Sequence, residues 1–173
     1  GLAPDCHDNS GILEYVSIRY PGSIMQANVE INGLSLGAVG DGTTIDHIET
    51  YYCADDDIEA WGGSVNLLYT AIIYGDDDGW DTDECWSGIK QFGFMLKDPR
   101  WGDRETENDG RQQAVWTDTT SMASSAVPSG WGCNYPSYAL NANITMIGQG
   151  SAFNGTQGDR TMMRENYRAY WYN

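Results

Sequence analysis

The reading of this chain turns on Ile45 to Leu96, where one short phrase is written three times. The copies are Ile45-Asp46-His47-Ile48-Glu49-Thr50-Tyr51-Tyr52, Leu67-Leu68-Tyr69-Thr70-Ala71-Ile72-Ile73-Tyr74 and Ile89-Lys90-Gln91-Phe92-Gly93-Phe94-Met95-Leu96. They begin at 45, 67 and 89, a constant step of 22 residues. An earlier copy, Leu13-Glu14-Tyr15-Val16-Ser17-Ile18-Arg19-Tyr20, begins 32 residues before the first, which is one period plus an insertion. A fixed period in this range is the signature of a solenoid.

Within each copy the fourth and sixth residues, Val16/Ile18, Ile48/Thr50, Thr70/Ile72 and Phe92/Phe94, alternate with more mixed positions. Period-2 alternation with one apolar face describes strands, so these pairs are expected in the core, with Tyr20, Tyr52, Tyr74 and Leu96 continuing the same parity. The first residue of each copy has the opposite parity, which places a bend just after it. Tyr15, His47, Tyr69 and Gln91 then form an outward side-chain ladder. No stretch keeps a helical period over three turns. Several short strands in about 22 residues make one coil of a parallel β-helix, in which Ile45, Leu67 and Ile89 pile into a single column.

The 173 residues suit one domain with a continuous core. Its 21 Gly, 11 Tyr and 7 Trp fit a turn-dense β protein. A net charge of −16 argues against nucleic acid and anionic membranes as partners. No apolar run is long enough to insert in a bilayer. No Lys or Arg occurs between Tyr20 and Ile89, and the later bases include Arg160, Arg164 and Arg168. Cys6, Cys53, Cys85 and Cys133 make no C-x-x-C pair and have too few His neighbours for zinc. An even number at wide spacing favours disulfides in an exported protein over buried free thiols, with Cys85–Cys133 the preferred pair of three possible connectivities.

The organisation expected is a single domain over 1–173, with regular coils over 1–98, an irregular stretch over 99–141 and closing coils over 142–173. A long loop excursion occupies 100–136. Neither Gly1 to Ser10 nor Tyr170 to Asn173 reads as a cap for an open solenoid end. The chain is therefore expected to be a segment of a longer polypeptide or a unit that stacks end to end on its own copies.

Asn9-Ser10-Gly11-Ile12-Leu13, Gly33-Leu34-Ser35-Leu36-Gly37, Asp41-Gly42-Thr43-Thr44-Ile45, Asp55-Asp56-Asp57-Ile58-Glu59-Ala60-Trp61-Gly62-Gly63 and Gly88-Ile89-Lys90-Gln91-Phe92 resemble bacterial exported β-helix proteins described as hypothetical surface lipoproteins. Asn143-Ile144-Thr145-Met146-Ile147-Gly148 and Met163-Arg164-Glu165-Asn166 are similar to that family's closing coils. The likeness is specific over 9–98 and weaker over 99–141. It implies a right-handed parallel β-helix, secretion or surface display, and a chain extending past both ends. It carries no catalytic residues to transfer.

The acidic turns are the candidate site. Asp55, Asp56 and Asp57 lie one coil from Asp76, Asp77 and Asp78, with Asp81 and Asp83 close by, so like charges should stack. Solvent, raised pKa values or a hard cation such as calcium would relieve the repulsion. The same carboxylates could serve as a glycosidic acid and base. The Gly-His-Gly turn and Arg-Ile-Lys run of polygalacturonase-like hydrolases are absent, and no base lies near for a lyase. Trp61, Trp80, Trp86, Trp101, Trp116 and Trp131 are expected to close the core, with sugar stacking the other use of exposed rings. Asn143 and Asn154 match the glycosylation acceptor pattern. The sequence thus points to a noncatalytic extracellular β-helix, structural or adhesive, assembling end to end into a filament. The alternative is a surface protein that binds or cleaves carbohydrate.

Overall fold

The computed structural model describes residues 5–26, 29–110, 139–150, 161–164 and 167–173. The Asn154 acceptor, Trp116, Trp131, Cys133 and most of the expected excursion lie outside these residues. Among the described residues every regular element is a strand, and no helix is long and apolar enough to cross a membrane.

The strands stack in three parallel ladders. The first runs through β1 (Ile12–Arg19), β5 (Thr44–Tyr51), β7 (Asn66–Leu68), β10 (Ile89–Gln91), β13 (Ala139–Ala142) and β15 (Ala169–Tyr172). The second uses the later halves of β1 and β5 with β8 (Ala71–Ile73), β11 (Phe94–Leu96) and β14 (Thr145–Ile147). The third joins β4 (Leu34–Gly37), β6 (Ile58–Trp61), β9 (Trp80–Asp83) and β12 (Thr106–Asn108). Each coil visits the three ladders in turn, which is the parallel β-helix the repeat implied. The 32-residue first step is a coil enlarged by an antiparallel hairpin of β2 (Ser23–Gln26) and β3 (Val29–Ile31).

The register corrects two sequence expectations. Ile45 pairs with Leu67, but Leu67 pairs with Lys90 and not with Ile89. In the third ladder Trp61 pairs with Asp83, so one additional residue enters the turn around Trp86. The reason is packing: Trp86 is fully buried, and seating an indole there lengthens the coil by one. A one-residue slip turns every following side chain over. Met95 therefore enters the core, while Phe92 and Phe94 are exposed.

The second correction concerns the bends. They fall at the third repeat position, where Tyr15, His47, Tyr69, Phe92 and Asn143 have φ between 50° and 56°. A second corner is made by Tyr20, Tyr52 and Tyr74, again left-handed, so these tyrosines look outward. L-residues seldom adopt this region. Stacking compensates: ring centroids along Tyr15, His47, Tyr69 and Phe92 are 4.5, 4.6 and 4.7 Å apart. His47 thus stands in the outward ladder expected for it, with Phe92 in place of Gln91.

The lumen changes character along its length. Leu36, Ile45, Ile48, Ile58, Ala60, Leu67 and Ile72 fill the early coils. Thr82, Lys90, Thr106, Asn108 and Asn141 are buried in the later ones. β12 also lies inside the stretch read as irregular; its pairing with β9 carries the third ladder on to Asn108.

Candidate functional site

In the third ladder, alternate residues point out of the coil, so Glu59, Asp81 and Glu107 form one outward column and Asp83 and Asp109 belong to the next. The Asp-rich turn before β6 sits directly on the turn before β9. The Asp57 amide donates to the Asp78 carbonyl at 3.0 Å, and the Asp78 amide donates to Asp56 Oδ1 at 3.0 Å. Carboxylates from neighbouring coils are thereby forced together.

Three groups result: Asp55, Asp56 and Asp77; Asp56, Glu59 and Asp81; and Asp77, Asp78 and Asp103. In each, one oxygen per residue lies within 4.8 Å of the others, a spacing that a hard cation with oxygen ligands could bridge. Of the eight aspartates anticipated from the sequence, the structure gathers Asp55, Asp56, Asp77, Asp78 and Asp81. Asp57 is fully buried, where Thr50 and Lys97 offset part of its burial cost. A side chain at Gly75 would overlap its carboxylate. Asp76 and Asp83 stand outside the three groups.

Glu59, Asp103 and Glu107 were not anticipated. The alternation in Ile58-Glu59-Ala60-Trp61, set against Trp80-Asp81-Thr82-Asp83, could have found Glu59, because a common period stacks it on Asp81.

These acids are not a solvated fringe. Burial first, then the Asp78 charge, pushes Asp56 up to about 9. Burial and Asp83 raise Glu59 to about 8, and burial and Asp56 raise Asp81 to about 10. The Asn32 amide donates to Glu59 Oε2. Further along, Arg104 Nη1 lies 2.7 Å from both Asp103 and Glu107, and Arg164 pairs with Glu107 and Asp109. Cationic partners thus serve the later coils, where Glu107 is raised by burial only to about 7.

A second feature lies at the Tyr corner. Tyr20, Tyr52, Cys53, Ala54, Asp76 and Trp101 line an open cleft of about 400 Å³. Tyr52 packs 6.0 Å from Tyr20 and 6.2 Å from Trp101 between ring centroids. Arg100 lies 3.9 Å over the Trp101 ring and is held by two hydrogen bonds to Asp98, at 2.8 and 2.7 Å.

Cys6 is disulfide-bonded, whereas the disulfide expectation is corrected at Cys53 and Cys85. Cys53 and Cys85 are both buried thiols, so the Cys85–Cys133 bridge is not formed. The Cys53 thiol donates to the Asp56 carbonyl at 3.1 Å, and burial pushes it up to about 12. Both thiols should react negligibly with a thiol reagent at pH 8 in the native protein and rapidly once it is denatured without reductant. Fast native labelling at either position would contradict their burial. Asn143 is exposed at the first corner, where an acceptor would need to be.

Three parallel ladders stacked coil on coil, with an outward carboxylate column on the third, define a parallel β-helix. A family model described as a pectate-lyase like beta helix domain matches residues 3–165, and the chain belongs to that family. Searches of curated proteins and of solved structures return no match.

Proposed function

We propose that the protein is an extracellular, noncatalytic β-helix that adheres to polysaccharide through the cleft at the Tyr corner. The observation that carries this reading is the presence of Tyr20, Tyr52 and Trp101 around one open cleft with the Asp76 carboxylate at its edge. Aromatic faces meet the C–H face of a sugar, and a carboxylate accepts hydroxyl hydrogen bonds. Family membership supports a carbohydrate ligand. The net charge of −16 disfavours polyuronates and favours a neutral glycan.

The test is affinity electrophoresis and calorimetry with neutral and uronate polysaccharides. Trp101→Ala should weaken the best neutral glycan about tenfold, the scale of one lost aromatic contact. Unchanged affinity in that variant, or no binding across the panel, removes the reading. Release of reducing ends by the wild type would favour the cleaving alternative, for which protonated Asp56 or Asp81 supplies an acid.

The carboxylate groups are proposed as calcium holders, supported by their spacing. A second reading, end-to-end assembly, is favoured by Ile12 and Tyr15 on β1 and Tyr170 and Tyr172 on β15, all exposed. Coaxial filaments in micrographs would support it, and a single particle size at all concentrations would count against it.

A further inference from the structure

Lys90 is the basic residue that the register slip carries into the lumen, where it is 2% exposed. Its Nζ donates to Asn108 Oδ1 at 3.1 Å and to Thr106 Oγ1 at 3.4 Å. The Thr82 hydroxyl donates to the same Asn108 oxygen at 3.0 Å. The Asn108 amide nitrogen is anchored on the Met162 carbonyl at 2.9 Å. Thr82, Thr106 and Asn108 are each at most 1% exposed. An ammonium surrounded by neutral oxygens is costly to bury. Burial brings the amine down to about 7, with Asp81 the charge that opposes the shift and the Trp86 ring 5.5 Å away. A desolvated, uncharged lysine is a nucleophile.

We propose that Lys90 and Asn108 condense to form an isopeptide bond across the lumen, tying the first ladder to the third. Rotation of the amine turns its N–H away from the Asn108 oxygen and aims the Nζ lone pair at Cγ. As the Nζ–Cγ bond forms, the carbonyl electrons move onto Oδ1, where the Thr82 O–H holds the developing charge. The Thr106 hydroxyl takes a proton from Nζ and relays one to the amide nitrogen. The Cγ–Nδ2 bond then breaks and ammonia leaves. One carbon–nitrogen bond replaces another, so the step needs no oxidant, cofactor or second substrate.

The test is a mass measurement on the purified wild-type protein after reduction, followed by tryptic mapping under denaturing conditions. The expected result is a chain lighter by one ammonia, together with loss of cleavage after Lys90. The undivided peptide Tyr20–Lys97 should then be recovered joined through Lys90 to the peptide Glu105–Arg111. Mapping separates this from ammonia loss at an Asn-Gly succinimide, which leaves cleavage after Lys90 intact. Asn108→Ala should restore the separate peptides. Complete cleavage after Lys90 in the wild type overturns the proposal, and that result does not depend on any variant folding. A bond from Lys90 to Asn141, its cross-strand neighbour, would overturn the choice of Asn108.

Discussion

Replacing Trp80 with alanine should lower the free energy of unfolding by about 3–5 kcal/mol, the range for a fully buried large aromatic. Trp80 extends from the third ladder across the lumen, with its indole N–H donating to Thr70 Oγ1 at 3.2 Å. Its ring edge lies so close to Gly93 that a Cβ there would come within 2.9 Å. One side chain therefore joins the third ladder to the corner between the other two. Its loss leaves a void and an unpartnered buried hydroxyl together, and both effects are destabilising. Urea unfolding gives the value. As a contrast, Met25→Ala, at a side chain 65% exposed on the β2–β3 hairpin, should shift stability by no more than about 0.5 kcal/mol. Equal effects in the two variants would mean that the lumen does not carry the fold.

The second large effect is on pH. Asp56, Glu59 and Asp81 keep their protons to about 9, 8 and 10 in the folded chain. In an unfolded chain such groups ionise near pH 4. Between those limits the native state binds more protons than the unfolded one, so stability falls as pH rises. As a free amine Lys90 works the other way, its folded value of about 7 lying below the unfolded one so that it adds stability as pH rises above 7; once joined to Asn108 it does not titrate. Three acids acting from pH 4 upward outweigh one base acting only above 7.

The melting temperature should therefore be highest near pH 5 and lower by about 10 °C or more at pH 8, a drop of several kcal/mol for a chain of this size. Millimolar calcium should recover much of that loss at pH 8, and a chelator should abolish the recovery. At pH 5 calcium should do little, because protons already occupy the carboxylates. A melting temperature that is flat or rising from pH 5 to 8 would show that these acids ionise normally. No calcium response at pH 8 would remove the cation from the reading.

The fold was legible because its repeat is short and its strands alternate. Ile45, Leu67 and their neighbours state the period without help from three-dimensional data. The third copy misled because Ile89 matches Leu67 in character, whereas the true partner, Lys90, is a residue that composition rules assign to the surface. The shift arises in the turn that buries Trp86, and nothing local marks an indole as a spacer. The left-handed corners were equally hidden, since aromatic residues are poor candidates for positive φ until their rings are seen stacked.

The candidate site was half visible. Runs of Asp drew attention to Asp55–Asp57 and Asp76–Asp78, but a run does not say which members turn inward, as Asp57 does. Glu59 and Glu107 joined the site through ladder register, which becomes readable only when coil lengths are known. The cleft combines Tyr20, Tyr52 and Trp101 from three different passes of the chain, so no sequence window contains it.

The β2–β3 hairpin interrupts a coil without disturbing its neighbours: Val16 still pairs with Ile48 and Ile18 with Thr50 on the near side, and Leu34 with Ile58 on the far side. The backbone leaves and re-enters the stack at that corner as though the detour had never been made. This is a natural attachment point for foreign peptides. A tag or epitope of comparable size exchanged for residues 23–31 would be displayed beside the Tyr corner, with the pairing of the surrounding coils left as it is.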